Sequence, residues 1–248
     1  LYSSAASDVY KRQVTPRLAA KAIRYLQSQA DERPSKPFFL YLALPSPHTP
    51  WLPSHQFRGK SRAGSYGDFV SQVDDVVGRV TSTIQQLGMA QNTIVIFTSD
   101  NGPVWYASDT ERFGHNATGG LRGMKGDAWE GGHRVPFIAK WPDRIKAGRK
   151  TTRLICHTDL LATIADLLEK RLPDNAAEDS VSFFSELTSE HPGAYATGAL
   201  IHQSSPGVLS VRDGPLKLIP QLGSGGFTKP RRIKPRPGGP QGQLYHLK

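Results

Sequence analysis

Residues 66–102 read YGDFVSQVDDVVGRVTSTIQQLGMAQNTIVIFTSDNG, and two apolar patterns follow one another in this segment. From Tyr66 to Leu87 the apolar residues recur at helical spacing, and Gly88 is the type of residue at which helices commonly end. Residues 93–97 (TIVIF) form a continuous apolar run, which is typical of a strand buried on both faces. The segment therefore predicts a long helix, a buried strand and a polar Ser-Asp-Asn-Gly turn after the strand.

Similar patterns flank this segment on both sides. The run 38–44 (FFLYLAL) predicts a buried strand that ends in a proline-rich turn, and the run 135–139 (VPFIA) predicts a third strand. Helices are expected over residues 15–30, with Thr15 as the N-cap, and over residues 157–168. A strand, a long helix and a strand joined by short links are typical of a right-handed βαβ unit, so we expect a mainly parallel sheet.

The pattern changes in the last third of the chain. Residues 199–201, 208–211 and 216–219 predict short strands separated by turns, which favours a small antiparallel sheet. Residues 223–242 are rich in glycine, proline, lysine and arginine, which is typical of a loop or a flexible arm. The predicted fold is thus an α/β fold with a mainly parallel sheet flanked by helices, followed by a small antiparallel C-terminal subdomain.

Composition limits the classes of protein to which this chain can belong. Its 248 residues are 38% hydrophobic and 21% charged, which is enough for one sizeable core and unlike a disordered chain. No stretch approaches the roughly 20 apolar residues of a membrane span, and the single cysteine excludes an internal disulfide and a cysteine-cluster zinc site. Much of the formal net charge of +10 lies in the acid-free tail, whose cations are Lys229, Arg231, Arg232, Lys234, Arg236 and Lys248.

The first thirteen residues, LYSSAASDVYKRQ, differ in character from the rest of the chain. They lack the continuous apolar region of a signal peptide. Ser3–Gln13 resembles the in-frame translation of a transposon adapter, so we expect residues 1–13 to be a non-native leader. Under that expectation the true N-terminus is unseen, and the missing signal peptide carries no information on localisation.

Polar residues follow two of the predicted parallel strands. His48 follows the first, and Asp100 and Asn101 follow the second, so we expect them at the same edge of the sheet. Carboxylate and amide oxygens suit Ca²⁺ or Mg²⁺, although two residues are too few for a calcium shell and Asp-Asn-Gly is also a common turn. His48 is a candidate to protonate a leaving group or to donate to an oxyanion, and a capping or core histidine is the alternative.

A glycine-rich loop supplies the next candidate. Lys125 lies in Leu-Arg-Gly-Met-Lys-Gly, where backbone amides and an ammonium could hold an anion. The alternative is an ordinary solvated lysine. Downstream, Arg134 is expected to support the loop through an ion pair with Glu130 rather than to contact a substrate.

Several segments in order resemble the sulfatase family, the arylsulfatase-like branch of the alkaline-phosphatase superfamily. They are FFLYLALPSPHTPW, YGDFVSQVDDVVGRV, TIVIFTSDNGP, GGLRGMKGDAWEGGHRVPFIAKWP, CHTDLLATIADLL, SVRDGPLKLI and the closing QLYHLK. The resemblance covers about Thr15 to Lys248. It implies residues 14–175 as the C-terminal part of an alkaline-phosphatase-like catalytic domain truncated at its N-terminus, and residues 176–248 as a small C-terminal subdomain with a basic loop.

The resemblance also implies roles for the candidate residues. Asp100 and Asn101 fall on the family's calcium ligands, with calcium expected ahead of magnesium. His48 falls on the histidine that contacts the sulfate and assists the leaving alcohol, and Lys125 falls on the lysine that grips the sulfate. The implied reaction is hydrolysis of a sulfate ester, the implied substrate is a sulfated small molecule or polysaccharide, and a periplasmic or secreted location is expected.

The family's nucleophile is a formylglycine made from a cysteine or serine in a Cys/Ser-x-Pro/Ala-x-Arg signature. Cys156 is followed by His-Thr-Asp-Leu, so it lacks both the proline and the arginine and is rejected as the nucleophile. The formylglycine is expected upstream of this chain. We therefore expect the 248-residue chain to be an inactive fragment of a sulfatase.

Two alternatives remain open. A phosphodiesterase or phosphonate monoester hydrolase of the same superfamily would share the fold and a strand-end metal site. A polyanion-binding protein is suggested by the basic stretch 229–236, with a solvated loop as the plainer interpretation. Nucleic acid is not expected as a partner, because aromatic residues that could stack on bases are sparse in that stretch.

Overall fold

The computed structural model describes residues 4–190 and 198–247, with side chains from residue 11 onward. Residues 1–3 of the expected leader and Lys248 of the basic tail lie outside the described residues. The chain forms two compact units. The first contains the residues up to Val95 with Ser108–His115 and Trp141–Asp143, and the second contains Ile96–Ala107, Asn116–Lys140 and the residues from Arg144 onward. The expected division of the sequence after residue 175 stays a prediction.

The helices are α1 Ser4–Glu32, α2 Gly64–Gln86, α3 Ala107–Phe113, α4 Glu130–His133, α5 Asp159–Leu167 and α6 Phe184–Thr188, with a short 3-10 helix at His55–Phe57. The strands are β1 Val95–Thr98, β2 Phe137–Lys140, β3 Leu200–Gln203, β4 Leu209–Asp213, β5 Leu216–Ile219 and β6 Gln243–His246. Within the described ranges, no helix has the length and apolar character needed to cross a bilayer.

The two predicted long helices form, and α1 begins earlier than expected. The helix α2 buries the apolar face that its periodicity indicates, including Phe69 and Val76. The helix α1 begins at Ser4, so Pro16 lies inside it and the expected start at Thr15 is wrong. Thr15 is 2% exposed and its hydroxyl hydrogen-bonds to the hydroxyl of Ser46, so this side chain makes a tertiary contact instead of capping a helix.

The segment 38–44 was expected to be a buried strand, and this prediction is wrong. The segment forms no regular element, and the side chains of Phe39 and Tyr41 are 74% and 81% exposed. A strand needs a neighbour to satisfy its backbone groups. None of the described strands pairs with this segment.

The strands lie in the second unit, apart from Val95 at the start of β1. β1 and β2 correspond to the strands predicted over 93–97 and 135–139, and they pair with each other. The larger, mainly parallel sheet stays a prediction. The order β3-β4-β5-β6 forms an antiparallel sheet, which confirms the three predicted short strands and adds β6. Trp129 and Ile219 form a buried cluster on this sheet, and the Trp129 indole donates to Gln243 Oε1 of β6 at 3.1 Å.

Candidate functional site

Asp100 and Asn101 lie just beyond the end of β1, as predicted. The Asn101 amide Nδ2 donates to the carbonyl of Gly102 at 3.0 Å, which leaves its Oδ1 as an available acceptor. Asp100 is exposed, and its carboxylate has no hydrogen-bond or ion-pair partner in the part of the chain that the structure describes. The two residues therefore present free oxygens side by side.

Close backbone packing connects this strand end to the lysine-bearing loop. A Cβ at Gly102 would lie 1.8 Å from the Gly131 carbonyl oxygen, so only glycine fits there. Gly102 N donates to Gly132 O at 3.1 Å, and Lys125 N donates to Pro103 O at 2.8 Å. The second unit thus brings Lys125 next to the segment that carries Asp100 and Asn101.

Lys125 lies on a tight turn that a buried carboxylate holds. Asp127 is fully buried, and it accepts hydrogen bonds from Met124 N at 2.9 Å and from Thr228 N at 3.0 Å. The Thr228 hydroxyl donates to the same carboxylate. Lys125 is half-buried, and its ammonium has no hydrogen-bond or ion-pair partner among the described residues. A rigid turn therefore presents an unpaired cation.

A second buried carboxylate holds the other end of this loop. Glu130 is 6% exposed, and it accepts from Lys217 Nζ at 2.9 Å and from the guanidinium of Arg212. Burial alone would raise the pKa of Glu130, but the positive charges of Lys217 and Arg212 outweigh it and lower this pKa. Burial lowers the pKa of Lys217, against the raising effect of Glu130. The expected ion pair between Glu130 and Arg134 is wrong, because β4 and β5 supply the partners and Arg134 is exposed.

Two stacked histidines adjoin this ion cluster. The rings of His133 and His202 lie 4.7 Å apart at an angle of 23°. Burial, followed by the charge of Lys217, lowers the pKa of His133 to about 4. Burial, followed by the neighbouring His133 and Lys217, lowers the pKa of His202 to about 4. Both rings are therefore neutral near pH 7.

His48 belongs to the first unit. It is exposed in the turn after residue 44, and its Nδ1 lies 2.7 Å from the Thr49 carbonyl oxygen. A carbonyl only accepts, so Nδ1 carries the proton and Nε2 is the ring atom left for chemistry. Sequence reasoning placed His48 at the end of a strand, whereas the structure places it in an irregular segment.

The sequence did not indicate Asp127, Thr228 or Lys217 as supporting residues, and it indicated Glu130 with the wrong partner. Asp127 and Thr228 are separated by 101 positions, and Glu130 and Lys217 by 87. The one local signal was an acidic residue two positions after Lys125 in a glycine-rich turn, which is typical of a side chain that bonds its own loop. The half-buried Cys156 lies before α5, where its backbone N–H donates to Asp159 Oδ2 at 2.8 Å.

Comparison with protein families adds a decisive observation. The family model described as Sulfatase matches residues 2–170. The chain belongs to the sulfatase family. The candidate residues His48, Asp100, Asn101 and Lys125 fall inside the matched range, whereas the segments SVRDGPLKLI and QLYHLK lie beyond it.

Curated relatives include three sulfatases of different organisms. The chain is 40% identical over 165 residues to an N-acetylgalactosamine-6-O-sulfatase of Bacteroides thetaiotaomicron, covering 64% of this chain and 31% of the relative. It is 38% identical to the N-acetylgalactosamine-6-sulfatase of Mus musculus, covering 65% of this chain and 30% of the relative. It is 36% identical to the steryl-sulfatase of Rattus norvegicus, covering 67% of this chain and 28% of the relative. The match thus spans about a third of each relative's length.

Solved structures show the fold. A Bacteroides thetaiotaomicron sulfatase, described in connection with the metabolism of multiple glycosaminoglycans, superimposes with a TM-score of 0.80 and 32% identity over 95% of this chain and 48% of that chain. A Pseudoalteromonas sulfatase superimposes with a TM-score of 0.74 and 26% identity over 96% of this chain and 45% of that chain. The predicted α/β class of the alkaline-phosphatase-like sulfatases is confirmed.

Proposed function

We propose that this sulfatase, in its complete form, hydrolyses a sulfate ester to an alcohol and sulfate. The observation that carries the proposal is the unpaired Lys125 ammonium on a buttressed turn, whose backbone is bonded to the strand end that carries Asp100 and Asn101. A fixed cation with no internal partner is suited to an anionic group. Because its turn is held in advance, little reorganisation is needed when charge develops on the sulfate oxygens.

Each candidate residue has a definite part in this proposal. Lys125 binds a nonbridging sulfate oxygen and offsets its charge. His48 is oriented by its Nδ1–H bond to Thr49 O, and in its protonated form it donates Nε2–H to the leaving oxygen. This donation lets the alcohol depart without forming a free alkoxide.

Asp100 and Asn101 fit a hard divalent cation by their chemistry, because both have free oxygens. No cluster of three His, Cys, Asp or Glu side chains occurs within residues 4–190 and 198–247. The two residues would therefore hold Ca²⁺ as part of a ligand set that other parts of the protein complete, with Mg²⁺ as the alternative ion. When bound, the cation supplies positive charge to the sulfate oxygens.

The nucleophile is expected outside this chain. Cys156 has neither the proline nor the arginine of the formylglycine signature, and its backbone is engaged in the start of α5. We expect the coding DNA before Val14 to encode a Cys/Ser-x-Pro/Ala-x-Arg signature. The 248-residue chain alone is expected to show no turnover of an aryl sulfate, and robust turnover would contradict this.

The test uses the complete protein and p-nitrophenyl sulfate. Lys125→Ala should lower kcat/KM by about 10²–10³, the usual loss for removing one preorganised stabiliser of developing charge. Lys150→Ala removes an exposed lysine and is the matched control, with activity unchanged. Chelation of divalent cations should also abolish activity if Asp100 and Asn101 hold a metal.

A phosphate ester as substrate distinguishes the proposed sulfatase from a phosphodiesterase of the same superfamily. Bis-p-nitrophenyl phosphate reports phosphodiesterase activity in the same assay. Preferred hydrolysis of this ester, with the loss in Lys125→Ala appearing on it and not on the sulfate ester, would overturn the proposed function.

A further inference from the structure

The C-terminal region contains an ordered basic loop, defined here as residues 222–236. The composition predicts a loop or flexible arm, and the structure shows a loop whose backbone is held by hydrogen bonds. Leu222 forms an antiparallel bridge with Ile233, and Ser224 N and Gly225 N donate to the carbonyls of Pro230 and Arg231 at 3.1 and 2.9 Å. Because the backbone is already ordered, binding through this loop would cost little conformational entropy.

Backbone contacts attach the basic loop to the Lys125 turn. A Cβ at Gly226 would lie 2.1 Å from the Gly126 carbonyl oxygen, so the two backbones are in direct contact. Thr228 donates both its N–H and its hydroxyl to Asp127, two residues after Lys125. The cations of the loop begin at the next residue, Lys229. The loop and the candidate sulfate-binding lysine are therefore parts of one rigid assembly in the second unit.

The charges of the basic loop have no internal partners. Its cations are Lys229, Arg231, Arg232, Lys234 and Arg236, all of them exposed, and the loop contains no acid. None of them forms an ion pair with a described residue. Like charges held close together on an ordered backbone repel one another, and a bound polyanion would relieve that repulsion.

We infer that the basic loop is a subsite for the neighbouring anionic groups of a sulfated polysaccharide, one of whose sulfate esters is held at Lys125. This inference rests on the proposed function. A polymer with regularly spaced negative charges can engage Lys125 and the loop together, whereas a small aryl sulfate reaches only the lysine. Nucleic acid is disfavoured, because Phe227 is the one aromatic residue in the sequence of the loop, and a single ring offers little surface for stacking on successive bases.

The test measures binding of the complete protein to fluorescein-labelled dextran sulfate, with uncharged dextran as the ligand control. The variant R231A/R232A/K234A should bind at least about tenfold more weakly, and the slope of log Kd against log salt should fall by about three, one unit for each lost charge. K60A/K150A/K170A removes the same charge from exposed lysines outside the loop and should bind as the unchanged protein does. R231K/R232K keeps the charge and should retain binding.

Equal losses in the two alanine variants would overturn the inference, because the net charge and not the loop would then set affinity. Tighter binding of a uridine oligonucleotide through the same loop residues would overturn the assignment to a glycan. Hydrolysis of p-nitrophenyl sulfate by the unchanged protein is measured in parallel. If this hydrolysis is absent while loop-dependent binding persists, the proposed function fails and the polyanion site is supported. If the protein hydrolyses the ester but its binding does not depend on the loop, the proposed function is supported and the polyanion site fails.

Discussion

The Lys125 loop and the His48 segment carry the two catalytic candidates, and this chain supports them to very different degrees. The Lys125 loop has two buried carboxylates, Asp127 and Glu130, each satisfied by partners from the C-terminal region. The His48 segment has no regular structure and leaves large apolar side chains exposed. The difference shows that the C-terminal sheet supports the lysine, while the described residues give the histidine segment only isolated contacts, such as the hydrogen bond between Thr15 and Ser46.

Removing Glu130 should break the support of the Lys125 loop and have the largest effect on stability. Glu130→Ala leaves Lys217, which is 1% exposed, and Arg212 without their carboxylate. Unpaired buried charges of this kind cost about 3–5 kcal/mol. The free energy of unfolding, measured by urea titration of the complete protein, should fall by that amount, and hydrogen exchange at the Lys125 amide should accelerate.

The control for this prediction is an exposed ion pair. Lys146 and Glu190 lie 3.7 Å apart with side chains that are 80% and 77% exposed. Glu190→Ala should change the free energy of unfolding by less than about 0.5 kcal/mol. Equal effects of the two substitutions would mean that Glu130 does not hold the loop.

Lowering the pH should reduce the free energy of unfolding gradually, through the two stacked histidines next to Glu130. Burial lowers the pKa values of His133 and His202 in the folded protein from the ordinary 6.5 to about 4. Between these two pH values the unfolded chain binds more protons than the folded protein. The free energy of unfolding therefore has its full value above pH 6.5 and declines as the pH falls towards 4. The slope is at most about 1.4 kcal/mol per pH unit for each ring, and less if the pair titrates together.

Urea unfolding at a series of pH values checks this prediction. His202→Gln should reduce the slope between pH 4 and 6.5, because one of the two titrating rings is gone. His246→Gln replaces an exposed histidine of β6 and serves as the control. A slope that is unchanged in His202→Gln would contradict the assignment of this acid sensitivity to the stacked pair.

Substitutions in the exposed segment 38–44 should have almost no effect on stability, in contrast to the removal of Glu130. Phe39 and Tyr41 are 74% and 81% exposed, so F39S/Y41S should alter the free energy of unfolding by less than about 0.5 kcal/mol. We nevertheless expect it to reduce self-association of the 248-residue chain, because exposed apolar surface promotes aggregation. Light scattering after size exclusion measures the effect. A monomeric unchanged chain with a cooperative melt would contradict the expectation.

Local patterns were sufficient for the elements that depend on near neighbours. The helical spacing over 66–87 predicted α2, the apolar run 93–97 predicted β1, and three short runs separated by turns predicted β3, β4 and β5. The placement of Asp100 and Asn101 after a strand followed from the same patterns. These features depend on local sequence, because the residues that share one face of a helix or strand are only two to four positions apart.

Local patterns failed where a distant partner decides the outcome. The run 38–44 reads as a strand, yet a strand needs a pairing partner, and none of the described strands provides one. The Thr15-Pro16 pair reads as a helix start, yet the helix continues through it. The composition of the basic loop predicts a loop or a flexible arm, and a loop is found, but no local pattern indicates the bridge between Leu222 and Ile233 or the contact with Gly126.

The amino-acid sequence by itself determined the class of fold, the family resemblance and the identity of the candidate residues His48, Asp100, Asn101 and Lys125. Only the tertiary structure decided what holds Lys125 in position. The contacts of Asp127 with Thr228 and of Glu130 with Lys217 join residues 101 and 87 positions apart. A buried charge gains its stability from a particular partner at hydrogen-bond distance, and no periodicity in the chain names that partner.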